Sequence, residues 1–214
     1  MMVRPLLILA VVLGSCASSM TVGIPRATLE ARDSAVTIKV LEYILEECEG
    51  EECPIFPVQR EVFAAYGSGS IVKHTNSNSS VITAAHICDR LSQMGPIELG
   101  LFFAKKLFIK MFVVDRQMVE YEVDAVSFSQ QYDVCLLTTK KPIPRRAVRL
   151  AIAKPLYGEK VWTFGATAGE YDKEVLPIFD AYVAGLIPER KIYVLTDMAV
   201  YPGASGSGII NSRG

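Results

Sequence analysis

Along most of the chain, apolar residues come in short runs broken by polar ones. That spacing of two belongs to half-buried strands rather than to the 3.6 of helices. It begins in AVTIKVLEYI (35–44) and resumes in EVFAAYGSGSIV (61–72) and VITAAHI (81–87). LFIKMFVV (107–114), VEYEVDAVSF (119–128) and VCLLTT (134–139) continue it, and then KVWTFGA (160–166), PIFDAYVAGLI (177–187) and KIYVLTDM (191–198). These runs are rich in Val, Ile, Tyr and Phe, and segments of pure turn chemistry such as KHTNSNSS (73–80) lie between them. Helical spacing is confined to CDRLSQM (88–94), a turn or two. Many short strands with turn signals between them predict an all-β barrel or sandwich. TKKPIPRRAV (139–148) divides the chain into two β-rich portions. Its two prolines and its cations Lys140, Lys141, Arg145 and Arg146 read as a solvated connector rather than a phosphate-binding patch.

The start of the chain follows a different pattern. Arg4 precedes the apolar run PLLILAVVLG, far short of the roughly 20 residues a membrane helix needs. A charged start, a short apolar stretch and small residues make a secretory signal over residues 1–15. The run ends in LGSC, which resembles the lipobox of bacterial lipoproteins and implies cleavage before Cys16, acylation of that cysteine and attachment to a membrane. Ordinary cleavage after Ala17 is the alternative, and either way the protein is expected to be exported. Residues 16–34 are small, polar and patternless, as a flexible tether would be.

Composition adds three constraints. With 214 residues, half of them hydrophobic, the chain can bury a core for one or two compact units. A net charge of −1 gives no electrostatic case for nucleic acid. Of five cysteines, setting Cys16 aside leaves an even number for an oxidising compartment. CEGEEC places Cys48 and Cys53 around an acidic tip that a short disulfide could close. Cys88 and Cys135 are left open between a bond and two buried thiols. Two histidines are too few for an ordinary zinc ligand set, so no metal is expected.

One stretch fits no strand rule. YPGASGSGII (201–210) sets Ser205 among glycines and small residues. A serine hydroxyl is a weak nucleophile unless an imidazole takes its proton. His74 lies in the polar turn and reads as solvated. His86 follows the run SVITAA, where Ala84 and Ala85 leave room for the ring. A lone histidine at a strand end is more often packing than chemistry, but a carboxylate could hold it in one tautomer. Asp133 directly precedes VCLL, a costly place for a charge without a partner. Asp124 is the second candidate, on an alternating run that faces solvent.

TAAH with His86, DVCLL with Asp133 and GASGSG with Ser205 resemble the three signature segments of trypsin-like serine proteases, in the order His, Asp, Ser. TDMAVYPGASGSG and GSGSIV are most similar to the bacterial HtrA-like branch, and the resemblance covers residues 35–210. It implies two six-stranded antiparallel β-barrels, residues 35–139 carrying His86 and Asp133 and residues 148–214 carrying Ser205, joined by a linker at 140–147. It also implies peptide-bond hydrolysis without a cofactor. Ser205 is then the nucleophile, His86 the base, Asp133 its orienting carboxylate, and the N–H groups of Gly203 and Ser205 the oxyanion hole. Where pancreatic-type relatives carry an aspartate before the serine this chain has Ala204, so the site is expected to be preformed. Ser207 stands where the commonest motif has glycine. By the family's layout Ala199, Val200 and Tyr201 line the primary pocket. With no aspartate at its base, that pocket favours small-to-medium apolar side chains of a polypeptide substrate. A non-catalytic binding domain on the same fold is the alternative. Nine residues follow Ser205, and their reading as one strand and half a hairpin predicts an incomplete second barrel.

Overall fold

Strand β1 (Ala35–Glu46) turns Val36, Ile38 and Val40 into the core, and Ala35, Thr37 and Leu41 on its other face are buried as well. The computed structural model describes residues 23–46, 58–89, 106–165, 176–189, 192–196, 198 and 201–214. Within them β1 pairs antiparallel with β2 (Val58–His74), from Ala35 opposite Ser70 to Glu46 opposite Val58. With β3 (Ser79–Thr83), β4 (Lys106–Val114), β5 (Glu120–Ser129) and β6 (Val134–Thr139) they close a barrel in the order β1-β2-β3-β6-β5-β4. Pairing of β4 with β1 completes the ring and leaves no open sheet edge. Its core is branched and aliphatic: Ile38, Ile71, Val81, Val113 and Leu137 are fully buried around Cys88 and Cys135. At roughly 1.5–3 kcal/mol for each fully buried branched side chain, this cluster is the main source of the barrel's stability.

A second, partial sheet is built from β7 (Lys160–Phe164), β8 (Ile178–Ile187), β9 (Ile192–Thr196) and β10 (Ile209–Ile210), in the order β10-β7-β8-β9. The molecule is therefore mostly β, with one closed six-stranded barrel and a four-stranded sheet among the described residues.

The structure departs from the sequence reading in four places. The end of the expected tether folds: α1 (Arg26–Ala31) and a 3₁₀ turn at Arg32–Ser34 bury Thr28, Ala31 and Ser34. Ala31 packs with Ala35, Phe164, Leu176 and Ile210, and the Thr28 hydroxyl donates to the Asn211 carbonyl at 3.0 Å. Thr28 and Ala31, three apart on one face, are too small and too few to register as a periodic pattern. The helical turn expected over 88–94 begins earlier, as α2 (Ala85–Cys88), and residues 90–94 lie outside the described residues.

Arg145 is not a solvated connector cation. Its side chain is 14% exposed and its Nε lies 3.0 Å from an Asp115 carboxylate that is 1% exposed. The other Asp115 oxygen accepts the N–H groups of Gln117 and Val119, because the turn after β4 folds around it. His74 is half-buried rather than solvated, with Nδ1 2.8 Å from the Ser79 hydroxyl. Cys16 and the pair Cys48 and Cys53 lie outside the described residues.

Candidate active site

Strand β3 ends at Thr83, and Ala84 is still extended (φ −78°, ψ 143°) before the chain turns once as α2. Ala85, Ile87 and Cys88 of that turn are buried, which leaves His86 as the residue that projects outward. The anchor is apolar and the imidazole sits on its wet face.

Asp133 reaches His86 from the other side. After β5 a 3₁₀ turn, Gln130–Tyr132, hands the chain to Asp133 in the left-handed region (φ 49°, ψ 44°). Few residues other than glycine tolerate that region, and aspartate is among those that do. The resulting kink swings the carboxylate back over α2. Oδ1 accepts the backbone N–H of His86 at 3.0 Å, and Nδ1 of the ring lies 3.0 Å from both carboxylate oxygens. Both side chains are 56% exposed. Asp124, the competing carboxylate, is exposed where the β5–β6 register shifts between Val123 and Ala125.

Two residues beyond each partner, Cys88 and Cys135 are joined in a disulfide with Cα atoms 6.4 Å apart. The bond fixes α2 to β6 directly behind the His86–Asp133 pair, and both cysteines are fully buried.

The Ser205 loop is folded by its own turns. Ala204 N–H donates to the Tyr201 carbonyl at 3.1 Å, and Ser207 N–H to the Ala204 carbonyl at 3.0 Å. Gly203 (φ 91°) and Gly206 (φ 85°) occupy conformations that L side chains rarely adopt. Gly206 is required for a second reason. A Cβ there would overlap the Thr83 hydroxyl and the Ser68 carbonyl and stand 2.7 Å from Ala84 N. The loop therefore presses directly on the end of β3 that leads to His86. Ser68 N–H of β2 also donates to the Ser205 carbonyl at 2.8 Å. Among the described residues, the N–H groups of Gly203 and Ser205 are spent on no hydrogen bond, and the Ser205 hydroxyl makes none with His86. Such bonds are commonly long without substrate.

An imidazole held at Nδ1 by a carboxylate keeps Nε2 available to accept a proton. A loop with two unspent N–H groups can stabilise a nearby negative oxygen. Tyr201 is exposed, with its ring centroid 5.8 Å from that of Phe179, while Ala199 and Val200 lie outside the described residues. Sequence reasoning did not single out Ser68 or Thr83. Their hydroxyls sit in strands, where serine and threonine read as ordinary alternation.

Residues 67–214, well over half of the chain, match the trypsin-like peptidase domain family. Among solved structures the chain is similar to the crystal structure of Deg5, at 17% identity and TM-score 0.53, covering 87% of this chain and 78% of that one. It is also similar to the crystal structure of the serine endoprotease from Yersinia pestis, at 14% identity and TM-score 0.54. That match covers 88% of this chain and 53% of the other, so this chain spans about half its length. At such identities the likeness establishes the fold. No curated protein matches the chain.

Proposed function

Because the chain belongs to the trypsin-like peptidase family, we propose that it is a serine endopeptidase of the HtrA-like kind, with His86, Asp133 and Ser205 as its catalytic triad. The observation that carries the reading is the grip of Asp133 on both the backbone N–H and the ring Nδ1 of His86. In the reaction His86 Nε2 takes the Ser205 proton as Oγ forms its bond to the scissile carbonyl carbon. The negative oxygen of the tetrahedral intermediate is met by the N–H groups of Gly203 and Ser205. His86 then gives the proton to the leaving amine as the C–N bond breaks, and the acyl-enzyme is hydrolysed by water through the same base. Asp133 fixes the tautomer and stabilises the imidazolium. Ala204 precedes the nucleophile, so no aspartate there can wait for a freed N-terminus, and the site is ready as folded.

The substrate is a polypeptide with a small-to-medium apolar residue before the scissile bond, accepted beside Ala199, Val200 and Tyr201. Export and lipid anchoring through Cys16 complete the reading. The Cys88–Cys135 disulfide supports an oxidising compartment. A fluorophosphonate probe is expected to label the protein and to leave Ser205→Ala unlabelled, with peptide cleavage lost in parallel. Absence of labelling in the parent would favour a non-catalytic domain on this fold instead, and equal labelling of both would remove Ser205 as the nucleophile.

A further inference from the structure

Ser68 makes a set of contacts that the triad does not explain. It is buried in β2, and three of its groups engage the two segments that carry the chemistry. Its hydroxyl donates to the Gly203 carbonyl at 2.7 Å. Its N–H donates to the Ser205 carbonyl at 2.8 Å. Its own carbonyl accepts the Thr83 hydroxyl at 2.6 Å, three residues before His86.

The two carbonyls that Ser68 holds belong to residues 203 and 205, so they flank the Ala204–Ser205 peptide. The carbonyl of that intervening peptide is itself taken by Ser207 N–H. A trans peptide points its N–H opposite to its C=O. Three hydrogen bonds therefore fix the direction in which the Ser205 N–H points. Of the three, the one from the Ser68 side chain can be deleted without touching the backbone. Room for that hydroxyl is provided by Gly165, where a Cβ would stand 3.1 Å from it.

We propose that Ser68 is a positioning residue for peptide hydrolysis, whose hydroxyl locks the Gly203 carbonyl so that the Ser205 N–H of the oxyanion hole is aimed before substrate arrives. The proposal rests on the triad reading above. A donor fixed in advance acts on the transition state more than on the bound substrate, so its loss falls on kcat rather than KM. Deleting the hydroxyl also leaves the part-buried Gly203 carbonyl without its partner, which frees the loop to rotate.

The test compares the full chain with Ser68→Ala, measuring kcat per active site titrated with a fluorophosphonate. Titration removes any misfolded fraction from the count. Ser68→Ala is expected to lower kcat roughly 10- to 100-fold with KM within about threefold of the parent. Thr37→Val serves as the comparison, because the Thr37 hydroxyl is buried in β1 but makes no hydrogen bond. It is expected to hold kcat within about threefold. A second readout needs no turnover: the amide resonance of Ala204, whose N–H shares a peptide with the Gly203 carbonyl, should shift or broaden in Ser68→Ala. Unchanged kcat in Ser68→Ala, or an equal fall in Thr37→Val, overturns the proposal. A parent without turnover overturns the triad reading instead, and an unmoved Ala204 amide then shows that the hydroxyl fixes nothing.

Discussion

Asp133 holds His86 by its main chain as well as by its ring, and the two contacts respond differently to substitution. Asp133→Asn keeps an oxygen for the His86 backbone N–H, so α2 should stay in place. An amide nitrogen facing Nδ1 would instead favour the wrong tautomer. We predict a loss in kcat of roughly 10⁴-fold with the thermal midpoint little changed, read by peptide turnover and melting. Asp124→Asn, at the exposed bulge, should leave turnover within about threefold of the parent. A severe effect at Asp124 with a mild one at Asp133 would reverse the assignment. The residues of the proposed triad stood out in the sequence because each sits in a run whose local chemistry is odd: a histidine after two alanines, an aspartate opening an apolar strand, a serine between glycines. Ser68 did not, since a buried serine in GSGSIV looks like the polar half of an alternation. Its role depends on a loop that arrives from more than a hundred residues away.

At the scale of elements, strand positions were legible because alternation is written locally, and β6 occupies the run VCLLTT read for it. Short helices were not. α1 has six residues and α2 four, each below the length at which a 3.6 period shows itself. The disulfide was open in the sequence for a related reason: two cysteines each two residues past a functional partner do not reveal the angle between their elements. In the structure it ties α2 to β6 and encloses 47 residues. Loop-closure entropy for that length predicts that replacing both cysteines by alanine costs about 4 kcal/mol, seen as a fall in the urea midpoint. Peptide mapping under non-reducing conditions should recover the two tryptic fragments joined. Recovery of two free thiols, or an unmoved midpoint, would remove the bond from the account.

The whole molecule depends on a polar anchor as well as on its apolar core. Asp115, buried under the β4–β5 turn, pulls Arg145 of the connector inward and so fixes where the chain leaves the barrel. Removing one partner of such a pair leaves the other charge buried alone. Asp115→Ala is therefore predicted to cost about 3–5 kcal/mol, measured by equilibrium unfolding. The exposed pair Lys140–Glu122, one strand end away, should matter little when broken. If both changes were equally mild, the connector would be a passive tether. The connector's run of cations hid this anchor in the sequence, because Arg145 and Arg146 look alike there and only Arg145 meets a buried carboxylate.

One consequence of the Ser205 loop resting on β2 concerns the timing of activity during the life of the chain. Domains generally fold as units, beginning with the part synthesised first. His86 and Asp133 then stand assembled on the barrel before the loop that holds Ser205 has folded. The surface at Ser68 and Thr83 on which that loop rests is complete before the loop docks on it. On the reading proposed above, a barrel without its docked loop has no nucleophile in place, so cutting waits for the Ser205 loop to seat.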